Sequence, residues 1–210
     1  MKYHSKNKLH FLPKRTFIVI GALLLAVGLM SFGLTRKHDG EKITVVKDSI
    51  GSVAAFKQVY KVLQSPRCMN CHPSGDIPLQ GDDSHLHTMS PHRGPDGMGM
   101  YAMKCSNCHQ PTNTPGLHTP PGNPKWHLPP ADMKMVFQGR TAHQLAKQIM
   151  DPNRNGHKNM QQLIAHASDT LVKSGWHPGE GRTLPPMSYA AFKKAWITWL
   201  TKGAYAPPGK

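Results

Sequence analysis

Five residues of this 210-residue chain recur as a unit and constrain it more than any other feature: Cys68-Met69-Asn70-Cys71-His72 and Cys105-Ser106-Asn107-Cys108-His109. Together they use all four cysteines. Two thiols three positions apart can bond the two vinyl groups of one porphyrin, and an imidazole directly after them can reach its iron. Each copy therefore reads as the attachment site of a c-type haem. Cys68 and Cys71 would hold one, with His72 as proximal ligand; Cys105 and Cys108 would hold the other, with His109. Three other uses of paired thiols stand beside this reading. A redox dithiol belongs with a thioredoxin-like βαβ pattern, which is not visible here. A Cys₄ zinc site would have to close over the 33 residues between Cys71 and Cys105, long for a zinc ribbon. Two structural disulfides are the third. None of them needs a histidine after both pairs.

Attached macrocycles change what the composition means. Between Pro73 and Met135 lie 11 prolines and 7 glycines in 63 residues, with little periodic apolar pattern. Such a stretch ordinarily reads as linker or disorder. Two large apolar rings would supply the core that its side chains do not. Helical periodicity is confined to the flanks. From Ser52 to Gln64, Val53, Phe56, Tyr60 and Leu63 recur at helical spacing and Pro66 stops the run. Thr141 and Gln144 form a capping box before a helix with Leu145 and Ile149. Met160, Leu163, Ile164, Ala167 and Leu171 mark a further helix ending near Gly175. Ser188 caps the last, whose aromatic stripe is Tyr189, Phe192, Trp196 and Trp199, with Lys202 and Gly203 closing it. No strand is expected. The fold class is mainly α: cytochrome c-like helices, long Pro/Gly-rich loops around two haems, and one N-terminal transmembrane helix.

That helix is read from Phe17–Leu34, 18 residues without a charge. At about 1.5 Å per residue it just spans a bilayer core. Five Lys/Arg precede it (Lys2, Lys6, Lys8, Lys14, Arg15), so the heavier basic flank stays inside and the rest of the chain lies outside. A cleaved signal peptide is the alternative, with Ser31-Phe32-Gly33 a weak cleavage site. No cysteine is left for lipid attachment. Either way the motifs are exported, which is where haem is attached covalently in bacteria. The expected organisation is a basic cytoplasmic terminus at 1–16, the anchor at 17–34, a linker at 35–47, a dihaem domain at 48–206 and a tail at 207–210. The implied location is a bacterial inner membrane, crossed once, with the haem domain on the periplasmic side. The net charge of +15 fits steering toward acidic redox partners or the membrane surface, and nucleic acid is not an expected partner there.

The second axial ligand of each iron sets its potential. Met187, in the Pro-Pro-Met loop before the aromatic helix, resembles the ligand loop of single-haem cytochromes c. Met133 and Met135 follow a second Leu-Pro-Pro, and His85, His87 and His92 precede the second motif. Met187, Met135, Met133 and His87 are the candidates, and the residues alone do not assign two of them. His166 lies on the flank of its apolar stripe, so a satisfied structural histidine is its expected role. Only 37 residues separate Cys68 from Cys105, too few for tandem single-haem domains, so both haems should share one folded unit.

The run HLHTMSPHRGPDGMGMYAMKCSNCHQPTN, with PPGNPKWHLPPADMKM, DPNRNG, GWHPGEGR and WLTKGAYAPP, resembles a bacterial c-type cytochrome family that accompanies molybdenum hydroxylases. Its members are labelled isoquinoline 1-oxidoreductase subunits. The resemblance covers roughly residues 50–206. It implies an electron-accepting partner for a molybdenum and iron–sulfur dehydrogenase, and no molybdenum-cofactor site is visible in this chain. The expected function is that of a membrane-tethered dihaem cytochrome passing electrons to the respiratory chain, rather than an enzyme in its own right. A small peroxidase-like haem enzyme or sensor with one open iron is the alternative, although no acid/base pocket is evident.

Overall fold

A computed structural model describes residues 44–209. The predicted basic terminus, membrane span and most of the linker lie outside these residues. Among the described residues no helix is long and apolar enough to cross a membrane. The fold is helix-rich with two very small sheets, in the order α1 (Ser49–Leu63), α2 (Pro66–Met69), β1 (Leu79–Gln80), β2 (His85–Leu86), β3 (Gly99–Met100), β4 (Met103–Lys104), α3 (Ala142–Met150), α4 (Met160–His166), α5 (Thr170–Ser174) and α6 (Tyr189–Thr201).

The core is made where α1 crosses α6, with α3 and α4 against them. Phe56 meets Trp199 at a centroid distance of 4.5 Å, and Trp196, Phe192 and Trp176 continue the aromatic row. Each such residue, fully buried, contributes about 1.5–3 kcal/mol. The indole nitrogens are not abandoned: Trp196 Nε1 donates to Leu163 O at 2.7 Å and Trp199 Nε1 to Tyr205 O at 3.1 Å. The fold begins close to Val46, whose amide donates to Thr201 O.

Three helix readings shift in detail. α1 starts three residues earlier than the apolar pattern suggests, because the Asp48 carboxylate accepts from Gly51 N at 2.8 Å. Its buried stripe is Ser52, Phe56, Val59, Val62 and Leu63, with Val53 and Tyr60 at the margin. Ser52 is inside because its hydroxyl donates to Trp199 O and accepts from Tyr205 N. The stretch read as one helix from Met160 to Gly175 is two, broken at Ala167–Asp169. Asp169 starts α5 but spends its carboxylate on His166 Nδ1 at 2.6 Å. That contact occupies His166 Nδ1 alone; its Nε2 has no hydrogen-bond partner among the described residues, and the His166 ring is near enough to help lower the His72 pKa. The capping boxes of α3 and α4 and the Ser188 cap of α6 are formed, the first and last as read from sequence.

Strands do occur, against expectation. β1 pairs with β2 and β3 with β4, both antiparallel, each only two residues long. Two-residue strands carry no alternation to detect. Between Pro73 and Met135 only Leu79 and Leu128 are buried hydrophobics, so this half has almost no core of its own. Polar contacts hold it together instead. Arg93, 1 % exposed, donates from Nη1 to Pro129 O and from Nη2 to Gly75 O, tying the loop before the second motif to the segment after the first. Gly97, at φ +79°, lies so close to Leu128 O that any Cβ would collide with it.

Candidate functional site

The first motif is delivered by helix geometry. α1 ends at Leu63, Ser65 bonds back to Val62 O, and Pro66 opens α2 as its first residue, so it stops one helix and starts the next. Cys71 N bonds Cys68 O and His72 N bonds Met69 O, which puts both thiols and the imidazole on one turn. The second motif repeats this on a 3₁₀ turn, Cys105–Asn107, with Cys108 N and His109 N both on Cys105 O.

Each motif histidine is then fixed from two sides. His72 Nδ1 bonds Met135 O at 2.7 Å, and its ring stacks on Phe137 at 3.9 Å with 10° between planes. His109 Nδ1 bonds Pro121 O at 2.8 Å, and its ring stacks on Trp126 at 4.0 Å and 8°. A carbonyl acceptor makes Nδ1 the protonated nitrogen and leaves the Nε2 lone pair for a metal. Burial pushes the His72 pKa down to about 4 against the opposing pull of the Met135 carbonyl, and burial lowers that of His109 as well. Both rings are therefore neutral and ligand-competent at neutral pH.

The thiols sit where charge is costly. Burial pushes Cys68 up to about 12 and Cys71 up to about 11, the latter against the nearby Arg67 and Arg93 guanidinium groups; burial raises Cys105 too. Such surroundings favour an uncharged thioether over a thiolate. All four cysteines are free, and among the described residues no three His, Cys, Asp or Glu side chains converge as a metal set.

Do these residues fit a haem at each motif? Three features of the structure say that a large, apolar, partly acidic ligand suits them. Both imidazoles keep Nε2 uncommitted behind an anchored Nδ1. Large apolar side chains lie exposed on the segments flanking the second motif: Leu86 at 62 %, Met98 at 51 %, Tyr101 at 87 % and Leu117 at 67 %. Arg67 and Arg93 each bury an Nε–H without a hydrogen-bond acceptor, that of Arg93 lying 3.9 Å from Asp76 Oδ1, donors that the acid groups of a bound ligand would satisfy. Sequence reasoning missed both arginines. An Arg directly before a motif was visible, but the burial of Arg93 was not.

The candidate second ligands divide. His87 lies 6.2 Å from His109, ring centroid to ring centroid. Met187 is partly buried against the main core cluster, as is Cys68, and its carbonyl accepts from Trp176 Nε1 at 2.7 Å. Met135, at φ +48°, turns its carbonyl to His72 Nδ1 while its sulfur lies 3.9 Å from Gln148 Nε2, so it stands behind the proximal ring. Met133 ends a 3₁₀ turn and is partly buried. His85 is taken up by Asp83 at 2.7 Å, and His92 is exposed. The segment Trp176–Met187 also holds the second site's loops: Asn113 Nδ2 donates to His177 O, and Arg182 Nη2 to His118 O.

No family model, no curated protein and no solved structure matches the chain.

Proposed function

We propose that the chain is a membrane-tethered dihaem c-type cytochrome, moving electrons from a periplasmic dehydrogenase, in keeping with the resemblance to cytochromes that accompany molybdenum hydroxylases, into the respiratory chain. The observation that carries this reading is the duplicated site: in both copies the thiols and imidazole share one turn, Nδ1 is anchored on a carbonyl and the ring is stacked on an aromatic plane. Nothing in a redox dithiol or a disulfide calls for that second arrangement.

Bound haem would supply a one-electron couple at each iron. The chain's residues do the rest. Cys68 and Cys71 would fix one ring covalently and Cys105 and Cys108 the other, with His72 and His109 holding the irons. Carbonyls of Met135 and Pro121 set the imidazole tautomer and strengthen it as a donor. Phe137 stacks on the first imidazole, and Cys68 packs against the core cluster of the α6 aromatics, which would keep water from the first site. Met187, on a Pro-Pro stem with little conformational freedom to lose and packed against the same core cluster as Cys68, would serve as thioether ligand there. The 17–34 segment would hold the domain at the membrane.

Mass spectrometry under denaturing conditions checks the reading. The mature polypeptide should carry two haem masses that survive unfolding. A chain that purifies with zinc, or with two disulfides and no haem, would overturn it.

A further inference from the structure

The second motif has a partner that comes from the far end of an unexpected hairpin. Leu79 N bonds Asn70 O, inside the first motif, so β1 starts from that site. β1 and β2 pair Leu79 with Leu86 and Gln80 with His85, and His87 follows at once. Its amide donates to Pro78 O at 3.0 Å, and the next residue, Thr88, is held by Gln80 Oε1 through both its amide and its hydroxyl. His87 is thus carried on a pinned backbone, followed by two left-handed residues, Met89 and Ser90. Its Nδ1 bonds Thr88 O at 2.6 Å, so here too Nε2 is the nitrogen left over.

Two imidazoles on opposite sides of one metal have a fixed span. With metal–nitrogen bonds of about 2.0 Å, and each ring centre about 1.1 Å behind its nitrogen, the centroids lie ~6.2 Å apart. The observed separation is 6.2 Å with 66° between the planes, and rotation about a shared axis leaves that span unchanged. Edge-on and tilted aromatic pairs of the core reach 5.3 to 6.0 Å, so the span counts together with the pinned His87 backbone and the Nδ1 contacts that leave Nε2 of both rings for a metal. Resting on the dihaem reading above, we propose that His87 and His109 are the two axial ligands of one iron, so that the second haem is held between two imidazoles. With Met187 as thioether ligand at the first centre, the second has the lower potential, because imidazole favours the ferric state relative to thioether. The hairpin couples them physically: it begins on Asn70 of one motif and ends on the iron ligand of the other.

The test compares the detergent-solubilised full chain with His87→Ala, His87→Met, His85→Ala and His92→Ala, counting covalent haems by mass in every sample. In the unaltered protein the iron at the second motif should be low-spin and closed to carbon monoxide. His87→Ala should keep two haem masses, become high-spin at one iron and bind one carbon monoxide more per chain than the unaltered protein. Added imidazole should reverse both changes. His87→Met should stay six-coordinate, gain a methionine–iron charge-transfer band and raise one potential. The proposal falls if His87→Ala, with both haems present, keeps its spin state and carbon monoxide stoichiometry. It falls equally if His85→Ala or His92→Ala opens the iron instead. Absence of haem from the unaltered protein would fail the parent reading, a separate result because it is read by mass and not by spin state.

Discussion

The same five-residue motif is held in two very different ways. Around His72 the anchors come from afar: the carbonyl on Nδ1 belongs to Met135, 63 residues on, and Phe137 behind the ring is part of the main core cluster. Around His109 they are local: Pro121 is 12 residues away and Trp126 only half-buried. One site is a product of the helical core. The other has local anchors for its histidine, in loops tied to the 170–182 segment by hydrogen bonds and carrying exposed apolar side chains. On the dihaem reading proposed above, a loop that buries almost nothing of its own would leave a macrocycle edge near solvent for a partner to approach, and the embedded site would be the one of higher potential.

That contrast can be broken most severely from the core. Trp199→Ala, at 0 % exposure between α1 and α6, should cost about 3–5 kcal/mol in denaturant unfolding. A loss below about 1 kcal/mol would mean that the aromatic row does not organise the fold. The stacking partners sharpen the comparison. Phe137→Ala, at 7 % exposure, should cost about 3 kcal/mol, by the same large-to-small reckoning. Trp126→Ala should cost nearer 1 kcal/mol, little more than a lost ring pair. Equal losses at the two positions would show that the second site is as deeply built as the first.

Next comes a change confined to one iron. Met187→Ala should lower the potential of one haem, remove a methionine–iron charge-transfer band and let carbon monoxide reach that iron, leaving the other haem's titration in place. Unaltered potentials in the variant would reduce Met187 to a packing residue and return Met133 to consideration.

The smallest effect lies at the junction of α1 and α6. Asp48 caps α1 and pairs with Lys202 at 2.5 Å, and that contact, then Gly51 N, holds its carboxyl below the usual range. A depressed carboxylate stabilises the folded state above its unfolded pKa, and the contribution disappears as pH falls below about 4. Asp48→Asn keeps the cap and loses the ion pair. Its melting temperature at pH 7 should drop by no more than ~2 °C, and the gap to the unaltered protein should close in acid. A gap that stays constant as the pH falls would assign the effect to the cap instead.

Much of this was legible in the chain itself, because it depends on residues close in sequence. Both motifs, the Thr141 capping box and the Ser188 cap lie within five residues, and local hydrogen bonds suffice to form them. The Pro/Gly-rich middle was rightly read as loops, since nothing in it repeats at 3.6 or 2 residues. Other features had no local signal. Ser52 looks like a surface serine until Trp199 O and Tyr205 N arrive from about 150 residues away. Asp169 looks like a cap until His166 takes its carboxylate.

Sequence alone determined that two thiols and an imidazole share one turn at each motif, since cysteine and histidine spacing is a matter of one helical turn. Only the tertiary structure decided which histidine faces which motif. Thirteen other histidines compete with His109 on paper. A two-residue ladder, too short to leave a pattern, carries His87 to it. Contacts of that kind are set by where loops close in space, and a linear pattern does not encode the distance.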